Sequence, residues 1–128
     1  MKITEVLTDI ARLTRAKPIR NGKYTYAAQG QIIVRVRTSG GVEGVGFSHA
    51  QPGPDLALYE AARALSEAAV GLDVWDVERL WDRMYQPKIY GRRGLATRAM
   101  AAIDIAVWDA IGKTAGVSLH KLLGAFTA

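Results

Sequence analysis

The chain has 128 residues and a formal net charge of +5, and its residues are 49% hydrophobic and 23% charged. This length suits one globular domain and excludes a (β/α)₈ barrel, which needs roughly 250 residues. Cysteine is absent, which excludes disulfides, thiolate metal ligands and a thiol nucleophile. No apolar run approaches the ~20 residues of a membrane span and no signal peptide is evident, so we expect a cytoplasmic domain without membrane association.

Positive charge is concentrated early in the chain. Residues 10–42 hold seven basic and no acidic residues, whereas from Glu43 onward ten acids and nine bases balance. The seven are Arg12, Arg15, Lys17, Arg20, Lys23, Arg35 and Arg37. A segment of this kind is typical of a surface that binds an anionic partner (nucleic acid, phosphate or a small carboxylate). It is equally typical of a surface that is only solvated. Charge alone does not decide between them.

The first fifty residues have strand patterns. Residues 2–13 are rich in β-branched side chains, and residues 31–38 alternate so that the even-numbered apolar positions share one face. A Ser-Gly-Gly turn at 39–41 leads into residues 42–48, whose two glycines allow a packed helix to come close. The pattern predicts a three-stranded antiparallel meander with a long first loop over about residues 14–30.

Two helices are predicted after the sheet. The first begins with Asp55 as its N-cap and continues to Gly71, a residue typical of a helix C-terminus. Asp73 is the predicted N-cap of the second helix, and Pro87 stops it. A short basic connection follows over residues 88–94.

The third predicted helix, about Leu95–Ala115, is apolar around most of its circumference. A helix of this kind belongs in the interior, with a sheet on one side. Asp109 and Lys113 are spaced to form an i, i+4 ion pair. Gly116 ends the helix, and residues 118–124 form a final turn or short helix.

No self-contained active site is visible in the sequence. A metal site needs several carboxylates or imidazoles that converge, but the acids are spaced as caps and ion pairs. The two histidines, His49 and His120, are far apart in the chain. There is no phosphate-binding Walker loop and no dinucleotide fingerprint. We therefore predict neither a catalytic residue nor a metal ligand in this chain.

The third helix and its flanks carry a resemblance to a known family. The run YGRRGLATRAMAAIDIAVWDAIGKTAG, from Tyr90 to Gly116, and the Leu-Leu-Gly that ends at Gly124 resemble the N-terminal capping domain of the enolase superfamily. The branch most similar is that of mandelate racemase and muconate lactonizing enzyme. The opening residues and the glycine-rich strand agree, whereas Ser118 stands where many members have proline.

The resemblance implies an α+β capping domain over residues 1–124, with the sheet in 1–50 and three main helices in 54–124. Residues 125–128 would be a tail that leads into a barrel absent from this chain. In that family the barrel carries the catalytic bases and the carboxylates that bind Mg²⁺. These residues are therefore expected to be a fragment or an isolated domain without a cofactor of its own.

The function that the resemblance implies is substrate capping and specificity. The parent would be a Mg²⁺-dependent acid-sugar dehydratase or racemase that removes the proton α to a carboxylate, and a homo-oligomer. Two loops, about Arg15–Gln29 and Ser48–Pro54, would close over the barrel mouth. The candidate contacts for the hydroxyls and carboxylates of a sugar acid are Arg15, Lys17, Arg20, Tyr24, Tyr26, His49 and Gln51, with Tyr90 and Arg92 near the same mouth.

Two other hypotheses remain open. The chain could be a stand-alone module that binds an anionic ligand or nucleic acid through the basic hairpin of residues 12–37, where Tyr24 and Tyr26 are interleaved with cations. No RNA-recognition, KH or zinc-finger signature supports that module. Alternatively, the isolated domain self-associates through the apolar surface that a barrel would cover.

Overall fold

Alternation of buried and exposed side chains builds a three-stranded antiparallel sheet. The computed structural model describes residues 1–126. Its strands are β1 (Ile3–Arg20), β2 (Thr25–Thr38) and β3 (Glu43–Ala50), with β2 in the centre. Within β2, Ile32, Val34 and Val36 are fully buried, which confirms the face predicted for residues 31–38. The predicted tail of residues 125–128 lies partly outside the described residues.

The long first loop predicted for residues 14–30 is wrong. Strands β1 and β2 stay paired across this region, as far as Arg20 opposite Thr25, with a register break between Thr14 and Ile19. Nearly all of these side chains are exposed or only half-buried. Hydrophobic periodicity signals a strand only where one face is buried. The sequence of a hairpin that projects from the core therefore lacks the strand pattern and resembles that of a loop.

Within residues 1–126, five helices follow the sheet: α1 (Pro54–Ser66), α2 (Val77–Met84), α3 (Pro87–Tyr90), α4 (Leu95–Ala115) and α5 (Leu119–Leu122). The predicted bounds of the long helix α4 are confirmed, and Gly116 ends it in the left-handed region with φ 65°. The three longer helices and the sheet confirm the predicted α+β class. Residues 1–126 contain no barrel, and none of their helices has the length and apolarity to span a membrane.

Both predicted helix caps are wrong. The N-cap of α1 is Gly53, and Asp55 lies inside the first turn. The N-cap of α2 is Asp76. Asp73 instead accepts a hydrogen bond from the amino terminus of Met1 at 2.5 Å, because the chain start lies beside it. In each case the acid lies near a helix start in the sequence, whereas its carboxylate accepts a hydrogen bond from a distant residue: Arg12 for Asp55 and Met1 for Asp73.

The predicted helix ends also need correction. Helix α1 ends at Ser66, and turns carry the chain on to Gly71. Helix α2 ends at Met84, before Pro87. That proline opens the short helix α3, because its missing N–H and fixed φ suit a first helical turn.

The glycines of β3 let α4 lie directly on the strand. A Cβ at Gly44 would overlap the carbonyl oxygen of Ala106 and lie 2.6 Å from the amide nitrogen of Ala110. A Cβ at Gly46 would overlap the carbonyl oxygen of Ala102. Only hydrogen fits between these two backbones, as the sequence predicted for strand glycines.

Hydrogen bonds fix the direction of α4 along β3. The Asp109 carboxylate accepts from the Val45 amide and from Lys113 Nζ, each at 2.7 Å, which confirms the predicted i, i+4 pair. At the other end of the helix, Arg98 Nη1 donates to the His49 carbonyl oxygen at 3.1 Å. Helix α4 therefore runs antiparallel to β3, and its first turns lie beside the end of that strand.

Candidate functional site

Three segments meet at one end of the domain. The first is the projecting part of the β1–β2 hairpin, residues 13–29, which we call the arm. The second is the connection, residues 48–54, which leads from β3 into α1. The two are adjacent because Gly30, next to the arm, pairs with Ala50. The third is the start of α4, held beside His49 by Arg98.

The tip of the arm is an ordered turn centred on Asn21. The Asn21 side-chain oxygen accepts from the amides of Lys23 at 3.1 Å and Tyr24 at 2.8 Å. Its Nδ2 donates to the Tyr26 hydroxyl at 3.2 Å. The two tyrosine rings lie 6.2 Å apart, and Lys23 Nζ lies 5.3 Å from the Tyr24 ring centre. The tip therefore groups a cation, two phenols and an amide.

Lys23 and Asn21 were not among the predicted site residues. The Asn-Gly pair at 21–22 is a typical signal for a hairpin turn, although the turn spans residues 21–24 and neither residue of the pair has a positive φ. A hairpin turn at this pair places Lys23 and Tyr24 together at the tip of the arm.

Arg15 links the two strands of the arm, because its Nη2 donates to the Gln29 side-chain oxygen. Its Nε is enclosed and has no partner within residues 1–126. Lys17 and Arg20 are exposed. The arm thus presents donors of the kind that bind carboxylates and hydroxyls.

The basic stretch is not a continuous cationic surface. Three of its seven cations form ion pairs with acids from outside the stretch. The pairs are Arg12 with Asp55, Arg35 with Asp9, and Arg37 with both Glu5 and Glu43. Within the described part of the chain, the cations of the stretch that lack an acidic partner are Arg15, Lys17, Arg20 and Lys23. The unpaired positive charge is therefore on the arm.

Asp55 is the one fully buried acid of this region, with 0% of its side chain exposed. It accepts from Arg12 Nε at 2.7 Å and Nη2 at 3.2 Å, and from the amides of Gly53 and Leu56 at 3.0 Å each. The Arg12 hydrogen bond, helped by the two amides, holds the pKa of Asp55 below its usual range despite burial. The carboxylate is therefore charged at neutral pH.

The lowered pKa of Asp55 predicts a pH dependence of stability. The ionised form is favoured in the folded chain, so its contribution is present above the ordinary carboxyl pKa of about 4 and is lost as pH falls below that value. We expect Asp55→Asn to lower Tm at pH 7 and the gap to the parent chain to close below about pH 4. Thermal denaturation at several pH values measures this, with exposed Asp82→Asn as control. A gap that persists unchanged to pH 3 would contradict it.

Two of the remaining predicted residues lie on the connection, and two lie just before α4. Gln51 Nε2 and His49 Nε2 are 3.5 Å apart at the connection. Tyr90 ends α3 and is exposed, and Arg92 lies in the link to α4. Across residues 1–126, no hydrogen bond or ion pair joins the arm to any of these four side chains. The candidates on the arm and on the connection share one end of the domain, and no hydrogen bond or ion pair among the described residues joins Tyr90 or Arg92 to them.

The described residues provide no set of ligands for Mg²⁺. Residues 1–126 contain no group of three or more histidine or acidic side chains that could hold a metal ion. The donors described above therefore do not fit a Mg²⁺ site, and no catalytic step is assigned to them.

The chain can be placed among known proteins by its sequence. Residues 3–124 match the family model for the mandelate racemase / muconate lactonizing enzyme N-terminal domain. The chain belongs to this family. Membership confirms the resemblance inferred from the α4 region, and it makes the chain an N-terminal domain of the enolase superfamily type.

Relatives of the mandelate racemase family include named sugar-acid enzymes. The L-talarate/galactarate dehydratase of Salmonella typhimurium is 33% identical over 131 residues, which cover 97% of this chain and 33% of that protein. The D-galactarolactone cycloisomerase of Agrobacterium fabrum is 30% identical over 125 residues, covering 97% and 32%. The chain thus spans about a third of the length of the curated relatives it matches.

The chain is also similar to part of a solved dehydratase structure. The L-talarate dehydratase of Polaromonas sp. JS666, complexed with Mg and L-glucarate, superposes with a TM-score of 0.87 at 34% identity. The match covers 96% of this chain and 35% of the dehydratase.

Proposed function

We propose that this domain caps the substrate and sets specificity in a Mg²⁺-dependent acid-sugar dehydratase or racemase. The parent enzyme would remove the proton α to a carboxylate in a barrel that supplies the bases and the metal ligands. The observation that carries the proposal is the arm, which holds four unpaired cations and two adjacent tyrosines at one end of a domain of this family.

The chemistry of the arm matches that of an acid sugar. Such a substrate carries carboxylates at its ends and hydroxyls between them. Arginine and lysine form charge-assisted hydrogen bonds to carboxylates, and phenol or amide groups bond to hydroxyls. An arm that closes over the bound acid would also exclude water, which strengthens electrostatic stabilisation of the charged intermediate. The names of the dehydratase relatives support this substrate class.

The test uses the barrel-containing protein that carries this domain, assayed with Mg²⁺ and a panel of acid sugars. Replacing two exposed arm cations, Lys17→Gln with Arg20→Gln, is expected to lower kcat/KM for a diacid sugar about tenfold, because a charge-assisted hydrogen bond is lost. Lys121→Gln removes an exposed charge elsewhere and should have no effect. Unchanged kinetics for every acid sugar in the arm variant would contradict the proposal.

The unpaired arm cations also keep the nucleic-acid hypothesis open to test. Binding to phosphates weakens steeply as salt is added, because bound counterions are released on association. Three of the seven basic residues are already neutralised by acids, which leaves a small phosphate-binding surface. A salt titration of the chain with single-stranded nucleic acid separates the two functions.

A further inference from the structure

One buried carboxylate joins the two segments assigned to capping. Arg12 lies on β1 just before the arm, opposite Gly30 on β2, and Gly30 in turn pairs with Ala50 at the end of β3. Asp55 accepts from the Arg12 guanidinium on one side and from the Gly53 amide of the connection on the other. Its contacts therefore lie where the arm and the connection both leave the sheet.

Gly30 gives the Asp55 carboxylate the room to reach the base of the arm. A Cβ at Gly30 would lie 3.0 Å from Asp55 Oδ2 and 3.2 Å from the Ala50 carbonyl oxygen, closer than ordinary van der Waals contact. Glycine here serves the close approach of a side chain, as glycines in strands often do.

Beyond this point the arm lacks polar contacts with the rest of the described chain. In the described residues, no hydrogen bond or ion pair links residues 13–29 to the rest of the chain. Thr25 is five residues from Gly30, which is about 17 Å of strand at ~3.3 Å per residue. A tilt of about 10° at the base would move the tip by about 3 Å over that length.

We propose that Arg12 and Asp55 are a positioning pair that sets the angle of the arm against α1. The pair thereby controls how well the arm meets the substrate. It touches no reacting atom, and it acts through the arm residues. This inference rests on the proposed function for its effect on substrate affinity but not for its effect on the arm angle.

The arm angle is measured on the full chain by pulsed electron–electron double resonance, which gives the distance between two spin labels. The chain has no cysteine, so Gly22→Cys at the tip and Ala57→Cys on exposed α1 give a unique label pair. We expect Arg12→Gln to broaden the distance distribution by about 3 Å, the displacement of the tip for a tilt of about 10° over that strand length. Arg35→Gln breaks another ion pair of the same hairpin and should leave it narrow. An unchanged distribution in Arg12→Gln overturns the proposal.

Activity gives the second measurement, in the barrel-containing protein. Arg12→Gln should raise KM for the acid sugar about tenfold, with a smaller change in kcat, and Arg12→Lys should recover part of that loss. Should Arg12→Gln fail to fold, Gly30→Ala displaces the same carboxylate and carries the same expectations. Distances that broaden without a change in KM overturn the role in affinity. Failure of the proposed function gives a different result: the variant with Lys17→Gln and Arg20→Gln then has unchanged kinetics.

Discussion

Replacing Gly44 and Gly46 together by alanine is expected to abolish cooperative folding of the chain. Each new Cβ would overlap a backbone carbonyl oxygen of α4, and a helix backbone cannot move aside as a flexible side chain does. Overpacking costs about 3 kcal/mol at such a site. Two such sites remove roughly 6 kcal/mol, comparable to the whole folding free energy of many domains at about 5–15 kcal/mol.

Urea denaturation followed by circular dichroism measures this loss, for each single variant and for the pair. Gly22→Ala is the matched control, because nothing lies within 4 Å of a Cβ at that position. It should unfold at the urea concentration of the parent chain. A double variant with a normal unfolding transition would show that α4 does not lie directly on β3.

Removal of the arm tip is expected to have the largest effect on activity. Replacing residues 15–27 by an Asn-Gly turn would join Thr14 to Ala28, which face each other across the hairpin. The core contains no residue of the arm, so Tm should change by only a few degrees, on the order of 3 °C. In the barrel-containing protein we expect kcat/KM for acid sugars to fall about 100-fold, since orientation and water exclusion are lost together.

The arm deletion distinguishes capping from mere tethering. The Tm of the variant, measured by thermal denaturation, reports the stability of the rest of the domain. The value of kcat/KM reports the effect of the arm on catalysis. Full activity in a folded protein without the arm would contradict the capping role. Loss of both would instead mean that the arm supports the fold, against its position outside the core.

The parts of the fold that could be predicted are those in which burial leaves a period in the sequence. Residues Ile32, Val34 and Val36 alternate with outward-facing side chains because one face of β2 is covered. The bounds of α4 follow from its apolar circumference and from Gly116. The glycines of β3 predicted the close approach of a helix, although not which residues they meet.

What could not be predicted depends on contacts between distant residues. Arg12 and Asp55 are 43 positions apart, and nothing local distinguishes that aspartate from an N-cap. The arm lacks a buried face, so apolar and polar residues do not alternate along the sequence of its strands. The pairing of Arg37 with Glu5 and Glu43 likewise depends on strand register. The roles of the candidate site residues remain predictions.

Among the described residues, no hydrogen bond or ion pair joins the arm to the rest of the molecule beyond its base, so the arm can be exchanged as a unit. Residues 13–29 of a relative could be inserted between Arg12 and Gly30 without repacking any core side chain that the structure describes. If the proposed function holds, such chimaeras would change substrate preference while thermal stability stays the same.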